Sequence, residues 1–275
     1  FSSYGTEVTI LDGAPALFGR YDEDVAHVAR EIIADQGITA HTGVRVQSFK
    51  DGADSVTVTY LDSEGAAQQL EVDYVMVATG RKPATEGLGL ENTSIETTDR
   101  GAIVVDEHLR STVPNIFALG DVNGGPQFTY ISLDDYRVVL SQLVGDGSRS
   151  TKDRKAVAST IYMNPPLSSV GLTEREAIEA GHKVKVASKP VAAVAAMPRA
   201  KTQENPRGIM KFVIDAQTDQ ILGAQLLVIE SMEVINLVAL AMRHSITASQ
   251  LRDEIYTHPS ITEGLNEVLA AAVPV

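Results

Sequence analysis

The sequence predicts an α/β chain that passes into a separate α+β domain. Three observations carry that prediction. A strand–helix–strand succession opens the chain, a continuous apolar run stops at Gly80, and a hairpin beyond residue 155 leads into a helix apolar on most of its circumference. With 275 residues, 44% of them hydrophobic, two or three domains are accommodated.

The elements follow in order. Glu7–Gly13 is a β-branched apolar run ending in an acid and a glycine. Asp22–Gln36 reads as a helix with Val25, Val28, Ala29, Ile32 and Ile33 on one face, and Gly37 marks its end. Ile38–Phe49 reads as one strand, with Ser55–Tyr60 and Gln69–Val77 as two more. This is β-α-β plus a small meander, the later portion of a Rossmann-like nucleotide-binding domain. In such folds an acid ending the second strand binds the adenosine ribose, and Asp12 has that place. Asp12-Gly13 reads equally well as a plain Asp-Gly turn. The phosphate-cradling Gly-x-Gly-x-x-Gly belongs roughly twenty residues upstream, before Phe1. Gly87-Leu88-Gly89 does not replace it, because Asn92 fills the third glycine position.

Tyr74–Val77 continues through Ala78-Thr79-Gly80 as a buried parallel strand. Ile116–Leu119 reads as a second short buried strand, ending in Gly120-Asp121; taken alone, that Gly-Asp is a strand-to-turn junction. A helix runs on from Phe128 through Leu143, and Gly145–Lys155 is the best linker. Strand Ala156–Tyr162 follows, then a helix capped by Thr173 and ending near Gly181. Ile209–Ile214 and Ile221–Val228 form a hairpin, Glu230–Arg243 a helix that should be buried, and Ala248–Ile255 a shorter one.

A net charge of −13 argues against nucleic acid or an anionic membrane surface as partner. No run approaches the roughly 18 apolar residues of a membrane span. No signal peptide opens the chain, so a cytoplasmic protein is expected. Cysteine is absent, which rules out a disulfide, a thiolate metal site or a cysteine nucleophile within these residues. Histidines 27, 41, 108, 182 and 244 lack metal-ligand spacing, and no metal site is expected.

Three further motifs carry a resemblance. Thr112-x-x-x-Ile116-Phe117-Ala118-Leu119-Gly120-Asp121 resembles the second flavin motif of the pyridine nucleotide-disulfide oxidoreductases, the family of glutathione reductase, dihydrolipoamide dehydrogenase and mercuric reductase. Ala78-Thr79-Gly80-Arg81-Lys82-Pro83 resembles the segment by which that family's chain leaves the NAD domain for the flavin domain. His258-Pro259-Ser260-Ile261-Thr262-Glu263 resembles its His-Pro-Thr-x-x-Glu, although Ser260-x-x-Glu263 also fits a helix capping box. The wording from Gly124 to Tyr136 looks like the bacterial reactive-chlorine-response branch, related to mercuric reductases.

The resemblance implies a partial NAD(P)-binding domain (1–79), the C-terminal part of an FAD domain (80–150) and a dimerisation domain (151–275). It implies that Asp121 binds a ribityl hydroxyl of FAD and that Gly80, Arg81 and Gly120 pass near the cofactors. Phe128-Thr129 stands where relatives open the flavin-facing helix with Leu-Thr, at a helix start suited to an electron-rich ring edge. His258 becomes the acid-base for the thiols, oriented by Glu263, across a homodimer. Expected cofactors are FAD and NAD, with NADH favoured over NADPH because Asp12 stands where NADPH enzymes carry Arg. The substrate is a small-molecule or protein disulfide, a metal ion or an oxidant. A chain that opens on Phe1 and lacks the redox cysteines is read as the C-terminal part of a longer polypeptide. A catalytically inactive dimerisation and partial nucleotide-binding fragment, or a flavin dehydrogenase without redox cysteines, are the alternatives.

Overall fold

In the computed structural model, which describes residues 1–275, β1 (Thr9–Asp12) lies parallel to β2 (Thr39–Thr42), with α1 (Glu23–Asp35) as the crossover. Val25, Ala29 and Ile32 of α1 are buried, as the periodicity predicts. The segment expected as one strand, Ile38–Phe49, is two. Gly43 takes a left-handed φ of 67° and turns the chain out of the parallel pair. From there β3 (Arg45–Asp51), β4 (Val56–Leu61) and β5 (Ala67–Val72) form a separate antiparallel sheet. β5 stops at Val72, so the expected continuation through Val77 is not a strand. Tyr74 is 92% exposed and Met76 76%, because no strand of this chain lies beside the run to complete a ladder.

Met76–Lys155 form one compact unit; Phe1–Val75 and Ala156–Val275 together form the other. In the first of these, isolated bridges replace strands: Thr97 with Ile103, Val105 with Ser111, Arg110 with Phe117. Ile116–Leu119 is therefore not the strand expected. Its backbone bonds go to a tight return, Ser111 N–H to Ile116 O and Ala118 N–H to Leu109 O. Helix α2 (Thr129–Val144) packs Val138 and Val139 onto Leu109, Phe117 and Leu119.

The remaining elements are β6 (Ser159–Ile161), β7 (Leu167–Gly171), α3 (Glu174–Glu179), β8 (Val184–Pro190), α4 (Arg199–Thr202), β9 (Ile209–Asp215), β10 (Ile221–Leu227), α5 (Ser231–Arg243), α6 (Ala248–Arg252), α7 (Gly264–Ala270) and β11 (Val273–Pro274). Six strands make one antiparallel sheet in the order β11-β8-β9-β10-β7-β6. Every residue of β9 is buried, and α5 and α7 pack on this sheet through Ile235, Val238, Leu265 and Val268. The backbones approach so closely at Gly223 that a Cβ there would sit 1.9 Å from Leu172 O. α1 docks on the same sheet, joining Val25, Ala29 and Ile32 to Leu167, Ile209 and Leu227. Two predictions need correction. α5 leaves Leu240 46% exposed and Met232, Leu237 and Met242 only half-buried. α6 stops at Arg252, and Ile255 is almost fully exposed.

The β9–β10 hairpin makes the fold acid-sensitive. The Thr218 backbone N–H, then the His182 ring and the Gln217 backbone N–H, hold the Asp215 carboxyl well below the usual carboxylate range. Burial raises Asp219, but Lys185 and Ser249 outweigh it and leave the pKa at about 2. A depressed carboxylate contributes stability that is complete above its unfolded pKa of about 3.9 and is lost as pH falls through the folded value. Asp219→Asn should therefore lower the urea midpoint at pH 7 and have little effect near pH 2; equal losses at both pH values would contradict this.

Candidate functional site

Asp12 ends β1, opposite Thr42 of β2. Its Oδ1 accepts the Ala14 N–H at 2.9 Å, which fixes the carboxylate at the strand end and leaves Oδ2 for a ligand. The Asp-Gly turn reading is thus met.

In the Met76–Lys155 unit, the structure brings Arg81 to Asp121, Nη1 to Oδ2 3.7 Å, both side chains largely exposed. Gly80 lies just before Arg81 in an exposed segment, with a left-handed φ of 126°. Asp121 sits in a single 3-10 turn, Gly120–Asn123. Gly120 has a φ of 71°, and a Cβ there would meet Ser132 Oγ at 2.9 Å, so only glycine lets the turn seat on α2. Phe128 caps the start of α2 and Thr129 is its first residue. The leading N–H groups of a helix have no intrahelical acceptor and favour an electron-rich neighbour. The Phe128 ring stacks on Tyr130 at 5.0 Å and 12°. An exposed carboxylate, a glycine turn and an exposed helix start together fit a flavin's polyol and ring edge.

His258 and Glu263 lie on the loop entering α7. His258 Nδ1 is 2.8 Å from Glu263 Oε2, and Glu263 Oε1 accepts the Ser260 N–H at 2.8 Å. Ser260 Oγ in turn accepts the Glu263 N–H at 3.1 Å. The reciprocal Ser260–Glu263 bonds, which close the turn just ahead of α7, and the histidine pair are one structure, each using a different carboxylate oxygen. Burial pushes the Glu263 carboxyl up, but the Ser260 N–H and the His258 ring outweigh it and hold the pKa below the usual value. Glu263 is buried while the His258 side chain is 68% exposed, so the ring is anchored from below and open at Nε2.

Sequence reading missed Asp135. It is 1% exposed on α2 and accepts the Gly120 N–H at 2.7 Å. Its only trace in the sequence is an acid on the face that also carries Ile131 and Val138.

Residues 1–135 match the family described as pyridine nucleotide-disulphide oxidoreductase, and residues 157–269 match that family's dimerisation domain. The chain belongs to this family, which pairs FAD with a pyridine nucleotide. It is 45% identical over 270 residues to the probable pyridine nucleotide-disulfide oxidoreductase RclA of Escherichia coli, covering 98% of this chain and 59% of that protein. It is 34% identical to a mercuric reductase of Staphylococcus aureus, covering 96% of this chain and 48% of that one. A solved structure, the Cu(II) complex of the HOCl-induced flavoprotein disulfide reductase RclA from Escherichia coli, matches with a TM-score of 0.92 and 45% identity over 98% of this chain and 59% of its own. The chain thus spans less than two thirds of these relatives. No helix is long and apolar enough to cross a membrane.

Proposed function

We propose that the full-length protein is an NADH-dependent, FAD-containing disulfide reductase acting as a homodimer. In this reading residues 1–79 serve the nicotinamide cofactor, 80–150 the flavin and 151–275 the dimer. The observation that carries it is the His258–Glu263 pair, anchored at Nδ1 and open at Nε2. Reducing a disulfide takes two electrons and two protons to two thiols, and a group titrating near neutrality is needed to deliver protons to the departing thiolates. His258 Nε2 holds that proton; Glu263, bonded at Nδ1, fixes the ring's orientation. FAD, when bound, supplies the electron relay between nicotinamide and thiols. Asp121 would hold its polyol, with Gly80, Arg81 and Gly120 beside it and the Phe128-Thr129 helix start at its ring. The redox cysteines come from residues outside this sequence. A metal ion or oxidant as terminal acceptor is supported by the mercuric reductase and Cu(II)-complexed relatives. A cytoplasmic location goes with an intracellular nicotinamide donor. In the FAD-loaded protein, NADH oxidation should depend on an added small aromatic disulfide; flavin that NADH reduces but no disulfide reoxidises would contradict the reading.

Asp12 sets the nucleotide. A 2′-phosphate about 4 Å from its carboxylate costs on the order of 4 kcal/mol per unit charge at an effective dielectric near 20, before solvent and Arg20 offset part of it. Steady-state kinetics should show higher kcat/KM with NADH, and Asp12→Arg should move the preference towards NADPH. A wild-type preference for NADPH would refute the assignment.

A further inference from the structure

We propose that Asp135 is a positioning residue for the flavin contact of Asp121, and that Arg154 locks Asp135 in place; this rests on the reading of Asp121 as a flavin ligand. Asp121 lies inside the turn Gly120–Asn123, and both ends of that turn are tied to one atom. Asp135 Oδ2 accepts the Gly120 N–H at 2.7 Å and the Asn123 Nδ2–H at 3.1 Å. Asn123 also donates to Ala118 O at 3.2 Å, on the approach to the turn. Asp135 Oδ1 accepts from Arg154 Nη2. Three donors thus converge on a side chain that is 1% exposed.

Only a carboxylate meets them all. It offers acceptor capacity on both oxygens, whereas an amide of the same shape would turn an NH₂ towards a donor. Burying that charge is costly unless it is paired, and Arg154 supplies the pair. Arg154 is itself held by its Nε on Asp134 Oδ2 at 2.7 Å, while Arg149 Nη2 takes Asp134 Oδ1 at 2.7 Å. The expected linker is therefore no free tether. Ser150 caps its 3-10 turn, Thr151 N–H reaches Glu107 O at 2.9 Å, and Lys152 pairs with Glu107 at 2.8 Å. A fastened segment delivers Arg154 to a carboxylate whose other oxygen sets the two ends of the flavin turn.

The test is a double-mutant cycle on the FAD-loaded protein, with the rate of FAD release read as flavin fluorescence. Asp121→Ala and Asp135→Asn are each expected to speed release by about tenfold or more, the scale of a lost hydrogen bond to a charged group. The double variant should release FAD no faster than the worse single one, because Asp135 acts through Asp121. Multiplying effects would mean that Asp135 merely supports the fold, and would overturn the proposal. An Asp121→Ala variant with unchanged release would instead remove the ligand reading itself. Should Asp135→Asn not fold, Arg154→Gln in the same cycle with Asp121→Ala gives the same discrimination.

Discussion

Lys211→Met is expected to be strongly destabilising. Lys211 is 4% exposed in the middle of β9, with Nζ 2.8 Å from Glu174 Oε2, 2.9 Å from Asp24 Oδ1 and 3.4 Å from Asp22 Oδ2. Burial works against its charge, but Glu174 and Asp24 outweigh it and hold the pKa above the usual lysine value. A raised lysine contributes stability that is complete below its unfolded pKa of about 10.4 and is lost only above that, so the full effect is present at pH 7. Asp22 is buried as well, receiving Gln225 Nε2 at 2.8 Å and the Glu174 N–H at 3.1 Å. One cation thus joins the start of α1, the start of α3 and the C-terminal sheet. Removing one partner of a buried ion pair costs about 3–5 kcal/mol, and the partial exposure of Asp24 and Glu174 places this case near about 3. At roughly 2–4 °C per kcal/mol for a chain of this size, Tm should drop by about 6–12 °C, with Lys211→Arg losing much less. A Tm equal to wild type for Lys211→Met would refute the account of this junction.

His258→Ala is expected to lower disulfide turnover by about 10²-fold or more, the usual scale of a lost general acid-base. The side chain is largely exposed, so stability should hardly change. Glu263→Gln is the sharper variant. Glutamine has one acceptor oxygen for the two donors, Ser260 N–H and the His258 ring, that the carboxylate serves separately. It should lower both Tm and turnover. A loss of Tm with unchanged turnover would mean that the motif is a helix cap and nothing more.

What could be read from the sequence divides along physical lines. Helix α1, the Thr173 cap and the β9–β10 hairpin are set by spacing within a few residues, and the structure has them where the pattern places them. Tyr74–Val77 and Ile116–Leu119 have the composition of buried strands but not the structure. A strand exists only by virtue of a neighbour: Tyr74–Val77 has none in this chain, and Ile116–Leu119 has only the single bridge of Phe117 with Arg110. The split of Ile38–Phe49 was signalled by Gly43, but an isolated glycine in a strand pattern reads as a bulge as readily as a change of sheet.

The site was legible as motifs rather than as geometry. His258 and Glu263 are five residues apart; the family resemblance pairs them, while the spacing alone points to the Ser260–Glu263 cap. Nothing in that spacing shows that the carboxylate divides its oxygens between cap and ring. Asp135 and Arg154 are nineteen residues apart, and Asp22 and Gln225 two hundred and three. Such partners are chosen by tertiary packing, which leaves no periodic trace in the chain.

Separating the two half-reactions by rapid mixing tests the central claim most directly. NADH-reduced, FAD-loaded wild type and His258→Ala would each be mixed anaerobically with a small aromatic disulfide, after flavin reduction by NADH is timed in both. The account predicts equal rates of flavin reduction and a disulfide half-reaction slowed by about 10²-fold in the variant, with the loss greatest at the pH where thiolate protonation limits the rate. A variant that reduces the disulfide as fast as wild type, or one slowed equally in both half-reactions, would contradict the role assigned to His258.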